Sequence, residues 1–374
     1  MKTHAIIPIF IPHAGCPHDC VFCNQKAITA RTAAPTPEAA IETIERNLAT
    51  IKANNSIKTV EIAFFGGSFT GIPLEEQSAY LEIAKSYKDR GLIDMIHMST
   101  RPDYINEEIL DNLKKYDADI IELGVQSFDP DVLRLSARGH SPEVVYESAA
   151  LIKKYGFTLG IQLMIGLPGD NYDKCMDSVA QTIKIAPQIA RLYPTVVIED
   201  TALYEMAKRG TYTPLTEHEA VMTTKDMYRA LTDAGINVIR VGLKSTDIIN
   251  SDSGVIGAGS YHPAFRQLVE GELAKEDMES ELADILSNIA FADDSAVAVS
   301  EKDAYTDAAV KTAKHTKADK RMTVVFTSAP ESFSNMIGNS KANRIYFEQK
   351  SPYLRFLFKT DKTMPRSRYK AALQ

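Results

Sequence analysis

The sequence predicts a parallel α/β fold followed by a small α+β module, and two observations carry the prediction. Over the first 240 residues, apolar β-type runs alternate with amphipathic helical stretches six or more times, as in a parallel sheet crossed by helices. After about residue 265 the alternation gives way to a helical stretch rich in Glu and Asp, then to short apolar runs. At 374 residues the chain exceeds one ordinary domain of roughly 100–150 residues. Two domains are expected, residues 1–265 and 266–374.

The first strand is Ile6–Ile11. The run containing it, Ala5 to Ile11, holds Pro8 and lacks a small-residue cleavage site, so it reads as a strand and not as a signal peptide. Thr36-Pro37-Glu38 starts a helix, with Thr as N-cap and Pro at the first helical position, and Ile41, Ile44, Leu48 and Ile51 follow at helical spacing. Further strands are expected at Val60–Phe65, Asp94–Ser99, Ile120–Val125, Leu159–Ile165, Leu192–Ile198 and Val238–Val241. Helices are expected between them at Pro73–Lys88, Asn106–Lys115, Pro142–Tyr155 and Tyr172–Ala186, and Ser141-Pro142-Glu143 repeats the cap-and-proline start. The strands are nearly continuous in apolar residues, as strands buried on both faces should be. An open sheet and a partial barrel fit this periodicity equally. The terminal module is expected to hold a helix over Phe265–Ala290 and strands at Ala296–Val299, Met322–Phe326, Arg344–Phe347 and Tyr353–Phe358.

Composition excludes several classes. With 44% apolar and 24% charged residues the chain has ample material for a core, which rules out a disordered polymer. No run of about 18 apolar residues exists, so no transmembrane helix and no membrane partner is expected, and the location is expected to be cytosolic. Net charge is −7, but it is unevenly spread. Residues 301–374 carry 15 Lys and Arg against 7 Asp and Glu, and the rest of the chain 27 against 42, balances of +8 and −15. The basic tail suits either a polyanion or a solvated face.

Three of the four cysteines lie within eight residues, in Cys16-Pro-His-Asp-Cys20-Val-Phe-Cys23, just after the first strand. In a reducing compartment such clustering points to metal or cluster ligation over disulfides. Three thiolates can hold three irons of a [4Fe–4S] cluster and leave the fourth iron open, since ordinary clusters use four cysteines. A structural zinc site completed by His13 or His18 is the alternative chemistry. Cys175, alone in a helical stretch, reads as a small apolar core residue. Strand two ends in Gly66-Gly67-Ser68, where two glycines allow close approach of the backbone to a ligand. Ser99-Thr-Arg-Pro-Asp103, Glu122-Leu-Gly-Val-Gln-Ser127, Arg138-Gly-His140 and Ile161-Gln-Leu-Met-Ile-Gly-Leu-Pro-Gly169 sit at later strand ends, where the sites of such folds lie.

The cysteine loop and these elements resemble the radical S-adenosylmethionine (SAM) superfamily, in the branch containing the Elongator catalytic subunit and oxygen-independent coproporphyrinogen oxidase. The resemblance covers roughly residues 5–265 and implies a six-unit partial TIM-type barrel. It implies that Cys16, Cys20 and Cys23 bind a [4Fe–4S] cluster whose open iron chelates SAM, and that an external electron donor drives cleavage to methionine and a 5′-deoxyadenosyl radical. Carried over residue by residue, Gly66, Gly67, Ser68, Thr100, Gln126, Arg138 and Gln162 become the candidate SAM contacts. An Asp is usual at the position of Gln162 in the porphyrinogen enzymes. Glu122 and His140 each have a structural reading as well, an interior barrel charge held by a neighbour and a turn cap.

Tyr193-Pro-Thr-Val-Val197, Thr201-Ala-Leu-Tyr204, Gly210-Thr-Tyr-Thr-Pro214 and Arg240-Val-Gly-Leu243 extend the likeness to the Elongator catalytic subunit, and Tyr261-His-Pro-Ala-Phe265 resembles short bacterial relatives. That subunit acts on wobble uridine in tRNA with an acetyltransferase domain after the barrel. Residues 266–374 show no R/Q-x-x-G-x-G/A pyrophosphate loop, so acetyl transfer is not carried over. The resemblance and the basic tail favour RNA, tRNA among it, as substrate; a small porphyrin-like metabolite is the alternative. In the tail, Gly338-Asn-Ser-Lys341 has only the first glycine of a KH-type G-x-x-G loop and reads first as an ordinary polar turn. Lys341, Arg344, Lys350, Arg355 and Lys359 are the candidate RNA contacts, and they cannot all share one face.

Overall fold

The computed structural model describes residues 3–11, 16, 20–24, 34–243, 256–293 and 321–374. Contacts divide the chain into two compact units, Met1–Pro263 and Ala264–Gln374. His13, His18 and the expected strand Ala296–Val299 lie outside the described residues.

In the first unit, β1 (His4–Ile11) leads to α1 (Pro37–Lys52). Thr36 caps α1 by accepting the Ala39 amide at 3.3 Å. Its buried stripe is Ala40, Ile44 and Leu48, spaced by four, while the expected core residue Ile41 is exposed. Then come β2 (Thr59–Gly66), α2 (Leu74–Asp89), β3 (Met95–Thr100) and α3 (Glu107–Lys115), the last capped by Asn106 at the Ile109 amide, 2.9 Å. β4 (Ile120–Gln126), α4 (Pro130–Leu135), α5 (Pro142–Lys154), β5 (Thr158–Ile165) and α6 (Tyr172–Ile185) follow. Ser141 occupies the cap position of α5, but its side chain makes no cap bond.

The expected strand Leu192–Ile198 is two strands, β6 (Ile189–Pro194) and β7 (Val196–Ile198). Pro194 has no amide to continue the ladder, so the chain leaves the main sheet there. After α7 (Ala202–Lys208), α8 (Glu217–Asp233) and β8 (Asn237–Val241), β9 (Ile256–Gly259) pairs antiparallel with β7.

The main sheet has seven parallel strands in the order β1-β2-β3-β4-β5-β6-β8 and curls into a half-barrel, the partial TIM-type architecture. Its two faces differ. Ile7, Ile62, Ile96, Ile121, Ile161 and Leu192 expose none of their surface and form the helix-covered layer. The alternate positions mix apolar residues such as Phe10, Ala63 and Phe65 with polar ones: Glu61, His97, Glu122 and Arg191, then Ser99, Gln162 and Tyr193 nearer the strand ends. The sequence suggests strands apolar on both faces; the concave face is instead lined with charge and amide groups, which need each other or a ligand.

The second unit opens with α9 (Phe265–Asp293). A three-stranded sheet, β10 (Thr323–Ser328), β11 (Arg355–Thr360) and β12 (Tyr369–Leu373), has β10 in the middle, parallel to β11 and antiparallel to β12. Short α10 (Phe333–Ile337) and α11 (Ala342–Lys350) connect β10 to β11. Met278, Phe326, Met336, Phe347 and Phe356 form the core between helices and sheet. The expected strand Arg344–Phe347 is therefore helical. Arg344 pairs with Glu348 one turn on at 2.8 Å, and Asn343 and Phe347, four apart, are both buried.

Candidate active site

β1 ends at Ile11 and β2 at Gly66, side by side in register. Gly66 has φ +109°, and a Cβ there would lie 3.1 Å from the Ile11 carbonyl oxygen; the Gly67 amide donates to that same oxygen at 2.7 Å. Only glycine lets the two strand ends approach so closely. Ser68 follows, buried, with its hydroxyl 3.5 Å from the Cys16 sulfur. None of the four cysteines is joined in a disulfide.

Cys20 is buried and accepts from Arg138 Nη1 at 3.4 Å, although 118 residues separate them. The Val21 amide donates to the Ser136 carbonyl at 3.1 Å and the Cys23 amide to the Cys20 carbonyl at 3.0 Å, which ties this part of the loop to the segment carrying Arg138. Val21 and Phe22 pack against Val197, Leu203 and Tyr212. Among the described residues, no three His, Cys, Asp or Glu side chains close on a single metal ion.

Arg138 also donates through Nη2 to the Gly124 carbonyl, and its buried Nε has no partner. Behind it stands Arg101, part of the strand-end segment Ser99–Asp103 but not among the candidate SAM contacts. Arg101 makes a two-pronged bond to Asp103 at 2.9 and 2.8 Å, donates to the Arg138 carbonyl at 2.6 Å, and keeps its own Nη1 buried without a partner. Such forked pairing fixes a guanidinium in orientation as well as position. Burial opposes charge on Arg101, but Asp103 and the nearby Cys20 and Cys16 raise its pKa, so it stays a cation. His140, two residues past Arg138, is pushed down to about 4 by burial and by Arg138.

Gln126 closes β4 at a register shift, with φ +71°. A glutamine held in the left-handed region is strained by on the order of 1 kcal/mol or more, and such strain collects at functional positions. There its amide oxygen accepts from Gln162 Nε2 at 3.3 Å. Thr100 is buried, its hydroxyl 2.6 Å from that of Thr70, which donates to the Tyr104 carbonyl. Of the candidate SAM contacts, Ser68 lies against Cys16, Arg138 against Cys20, and Gln126 against Gln162; Thr100 is engaged with Thr70.

Deeper on the concave face runs a chain of titratable side chains that starts at exposed His4 and is buried from Glu61 to Arg191. His4 meets Glu61 at 3.2 Å, Glu61 meets His97 at 3.3 Å, His97 meets Glu122 at 3.6 Å, and Glu122 meets Arg191 at 2.6 Å. Burial alone would raise the Glu122 carboxyl; Arg191 and His97 outweigh it and hold it at about 2. His97 is pulled down by burial, yet its two carboxylate neighbours leave it raised. The Arg191 guanidinium lies 5.0 Å from the centre of the Phe65 ring, and that ring meets His97 edge-on at 5.2 Å. The signal in the sequence was Glu61, His97 and Glu122, each a titratable residue inside an otherwise apolar run.

Two family models match the chain, the radical SAM superfamily over residues 10–181 and the radical SAM C-terminal domain over residues 187–275. A tRNA uridine(34) acetyltransferase of Methanocaldococcus infernus is 28% identical over 254 residues, covering 58% of this chain and 48% of its own length. Elongator complex protein 3 of Homo sapiens is 28% identical over 178 residues, covering 42% of this chain and 32% of its own. The chain thus spans about half the length of the first relative and a third of the second. The solved structure of the archaeal Methanocaldococcus infernus Elp3 with an N-terminal deletion aligns with a TM-score of 0.60 at 23% identity, over 74% of this chain and 64% of that one, a likeness of fold.

Proposed function

The chain belongs to the radical SAM superfamily of enzymes, and from that premise we propose that it cleaves SAM reductively at a [4Fe–4S] cluster and acts on RNA, with tRNA the favoured substrate. The observation that supports the cofactor is the meeting of the Cys16 and Cys20 thiols with a glycine cradle and an orphaned donor. Cys16 lies against Ser68 beside Gly66, and Cys20 lies against Arg138, whose buried Nε waits for an acceptor. Three thiols suit three irons, and a cation with an open donor suits a carboxylate. Cys16, Cys20 and Cys23 would hold the cluster. Gly66 and Gly67 would leave main-chain groups open to SAM, Arg138 would hold its carboxylate, and the amides of Gln126 and Gln162 would bond its ribose. When bound, the pair supplies a one-electron reduction that yields methionine and a 5′-deoxyadenosyl radical.

The chain's own part is orientation. Asp103 fixes Arg101, Arg101 holds the Arg138 carbonyl, and Arg138 is thereby aimed before any ligand arrives. Preset donors of this kind spend no reorganisation at the moment of reaction. RNA is supported by the relatives named for tRNA uridine and by the +8 balance of residues 301–374.

The test is anaerobic reconstitution followed by SAM and a strong reductant. Formation of 5′-deoxyadenosine without substrate, and a change in its rate on adding bulk tRNA, are expected. No nucleoside from an iron-loaded, SAM-binding sample overturns the chemistry; nucleoside formation indifferent to tRNA overturns the substrate.

A further inference from the structure

Some cations of the second unit are paired within it, and others, Lys341 and Arg355 among them, are exposed without a side-chain partner among the described residues. Of the paired ones, Lys350 meets Glu279 at 2.5 Å, Arg344 meets Glu348 at 2.8 Å, and Arg266 meets Glu270 at 2.7 Å. Two of the RNA contacts named from the sequence, Arg344 and Lys350, are therefore already paired. Of the unpaired cations, Lys359, Lys362, Arg366, Arg368 and Lys370 crowd into a twelve-residue stretch with one carboxylate, Asp361. All five are exposed and make no side-chain bond or ion pair among the described residues. Asp361 is turned to its own loop, accepting from the Thr363 amide at 2.8 Å and hydroxyl at 2.7 Å.

The topology gathers them at one end of the sheet. β11 and β12 flank β10, so residues 361–368 must cross the end of β10. The Asp361 amide donates to the Ser328 carbonyl at 2.9 Å, and the Ser367 amide to the Ser332 hydroxyl at 2.8 Å, which pins the crossing there. Lys359 and Lys370 both register with Thr327, one on each side. Phe356, Phe358, Phe326 and Tyr369 turn to the core, so alternation puts Lys359, Thr327 and Lys370 together on the opposite face. Two strand spacings set the lysines about 10 Å apart. The crossing segment adds the other three beside them.

We propose that this sheet end, Lys359 and Lys370 with Lys362, Arg366 and Arg368, is a docking surface for the phosphate backbone of RNA. The inference rests on the reading that the enzyme acts on RNA. Clustered cations without local partners concentrate positive potential, which a run of phosphates matches charge for charge. A membrane surface fits less well, because interfacial binding adds exposed large apolar groups to the basic ones. The apolar side chains on this face are Val325, Leu357 and Ala372, and the first two are buried or half-buried.

The experiment measures binding of bulk tRNA to the full chain as a function of salt. Each phosphate contact contributes a slope of roughly 0.7–0.9 in log affinity against log salt. The variant Lys359→Glu, Arg366→Glu, Arg368→Glu, Lys370→Glu is expected to lose at least about tenfold in affinity, with a slope smaller by roughly 3. The variant Lys341→Glu, Arg344→Glu reverses charge in the same unit and is expected to bind within about twofold of wild type. Thermal melting checks that both variants fold, which all-exposed positions favour. Wild-type binding that survives in the fourfold variant overturns this surface and leaves the RNA reading standing. Wild type without salt-dependent tRNA affinity overturns both. Patch-dependent binding to vesicles of anionic phospholipid, without tRNA binding, replaces the RNA with a membrane.

Discussion

Glu122 on β4 and Arg191 on β6 meet at 2.6 Å although β5 lies between them. The contact is possible because the β5 residue beside Glu122 is Gly160. A Cβ there would lie 3.0 Å from Glu122 Cγ and 2.9 Å from Ile189 Cγ1. A small residue on the middle strand and the curl of the sheet together let two long side chains close over it.

Breaking the pair from one side should cost far more than replacing it. Glu122→Leu leaves the buried Arg191 without its carboxylate, a loss of roughly 3–5 kcal/mol. The double variant Glu122→Leu, Arg191→Leu removes both charges and should recover at least half of that, since apolar replacements of buried pairs are often near neutral. Denaturant unfolding of wild type, both single variants and the double variant measures the coupling. Additive losses would show that the pair is not coupled. Gly160→Ala should cost about 1–3 kcal/mol by overpacking the same spot.

This chain of charges also marks what the sequence could and could not tell. The outer layer was legible because its signal is local: Ile161, Leu163 and Ile165 announce a strand without reference to any other part of the chain. The concave face was not, since Glu122 finds Arg191 only 69 residues later, and a single charge in an apolar run carries no address. The cysteine loop and Gly66-Gly67 could be read as motifs, but the contact between Arg138 and Cys20 and the support of Arg138 by Arg101 exist only in the folded chain. Arg344–Phe347 failed for the opposite reason. Its β-type composition is local, whereas its helical state is fixed by Phe347 in the core and by Arg344 pairing one turn ahead.

Gly66→Ala should impair SAM binding, because the added Cβ meets backbone that cannot rotate away, and φ +109° is strained for any L side chain. Gly91→Ala is the control: φ is +66° there as well, but nothing lies within 4 Å of its Cβ. We expect a fall in SAM affinity on the order of tenfold for the first and none for the second, read by equilibrium dialysis with the reconstituted protein. Equal affinities would remove the cradle from the SAM site.

His140 should make the fold acid-sensitive. Burial and Arg138 hold its imidazole down to about 4, with Arg101 acting in the same sense and Asp103 opposing. The unfolded imidazole, near 6.5, binds its proton more readily, so stability is full above about pH 6.5 and lost as pH falls towards 4, by on the order of 3 kcal/mol. His97, raised by Glu122 and Glu61, contributes in the opposite direction. The measurement is therefore a difference: wild type minus His140→Asn, unfolded by denaturant at several pH values. The wild-type deficit should grow between pH 6.5 and 4.5. Parallel pH profiles would show that His140 is not the titrating group.

The cysteines should divide three against one. Ligation of iron needs thiolates. Cys175 is buried in α6, its thiol donates to Asp170 at 3.1 Å, and burial together with that carboxylate pushes its pKa up, so it remains a neutral core thiol. Cys16 and Cys20 sit instead where a strand-end serine and a guanidinium meet their sulfurs. Each of Cys16→Ala, Cys20→Ala and Cys23→Ala should lose most of its iron after anaerobic reconstitution, and Cys175→Ala should keep it. Metal analysis and the broad absorbance of an iron–sulfur cluster read this directly. Zinc in place of iron in the wild type would favour a structural metal site, because a zinc thiolate centre lacks that band. Full iron in Cys20→Ala, or its loss in Cys175→Ala, would reassign the ligands and with them the place where SAM binds.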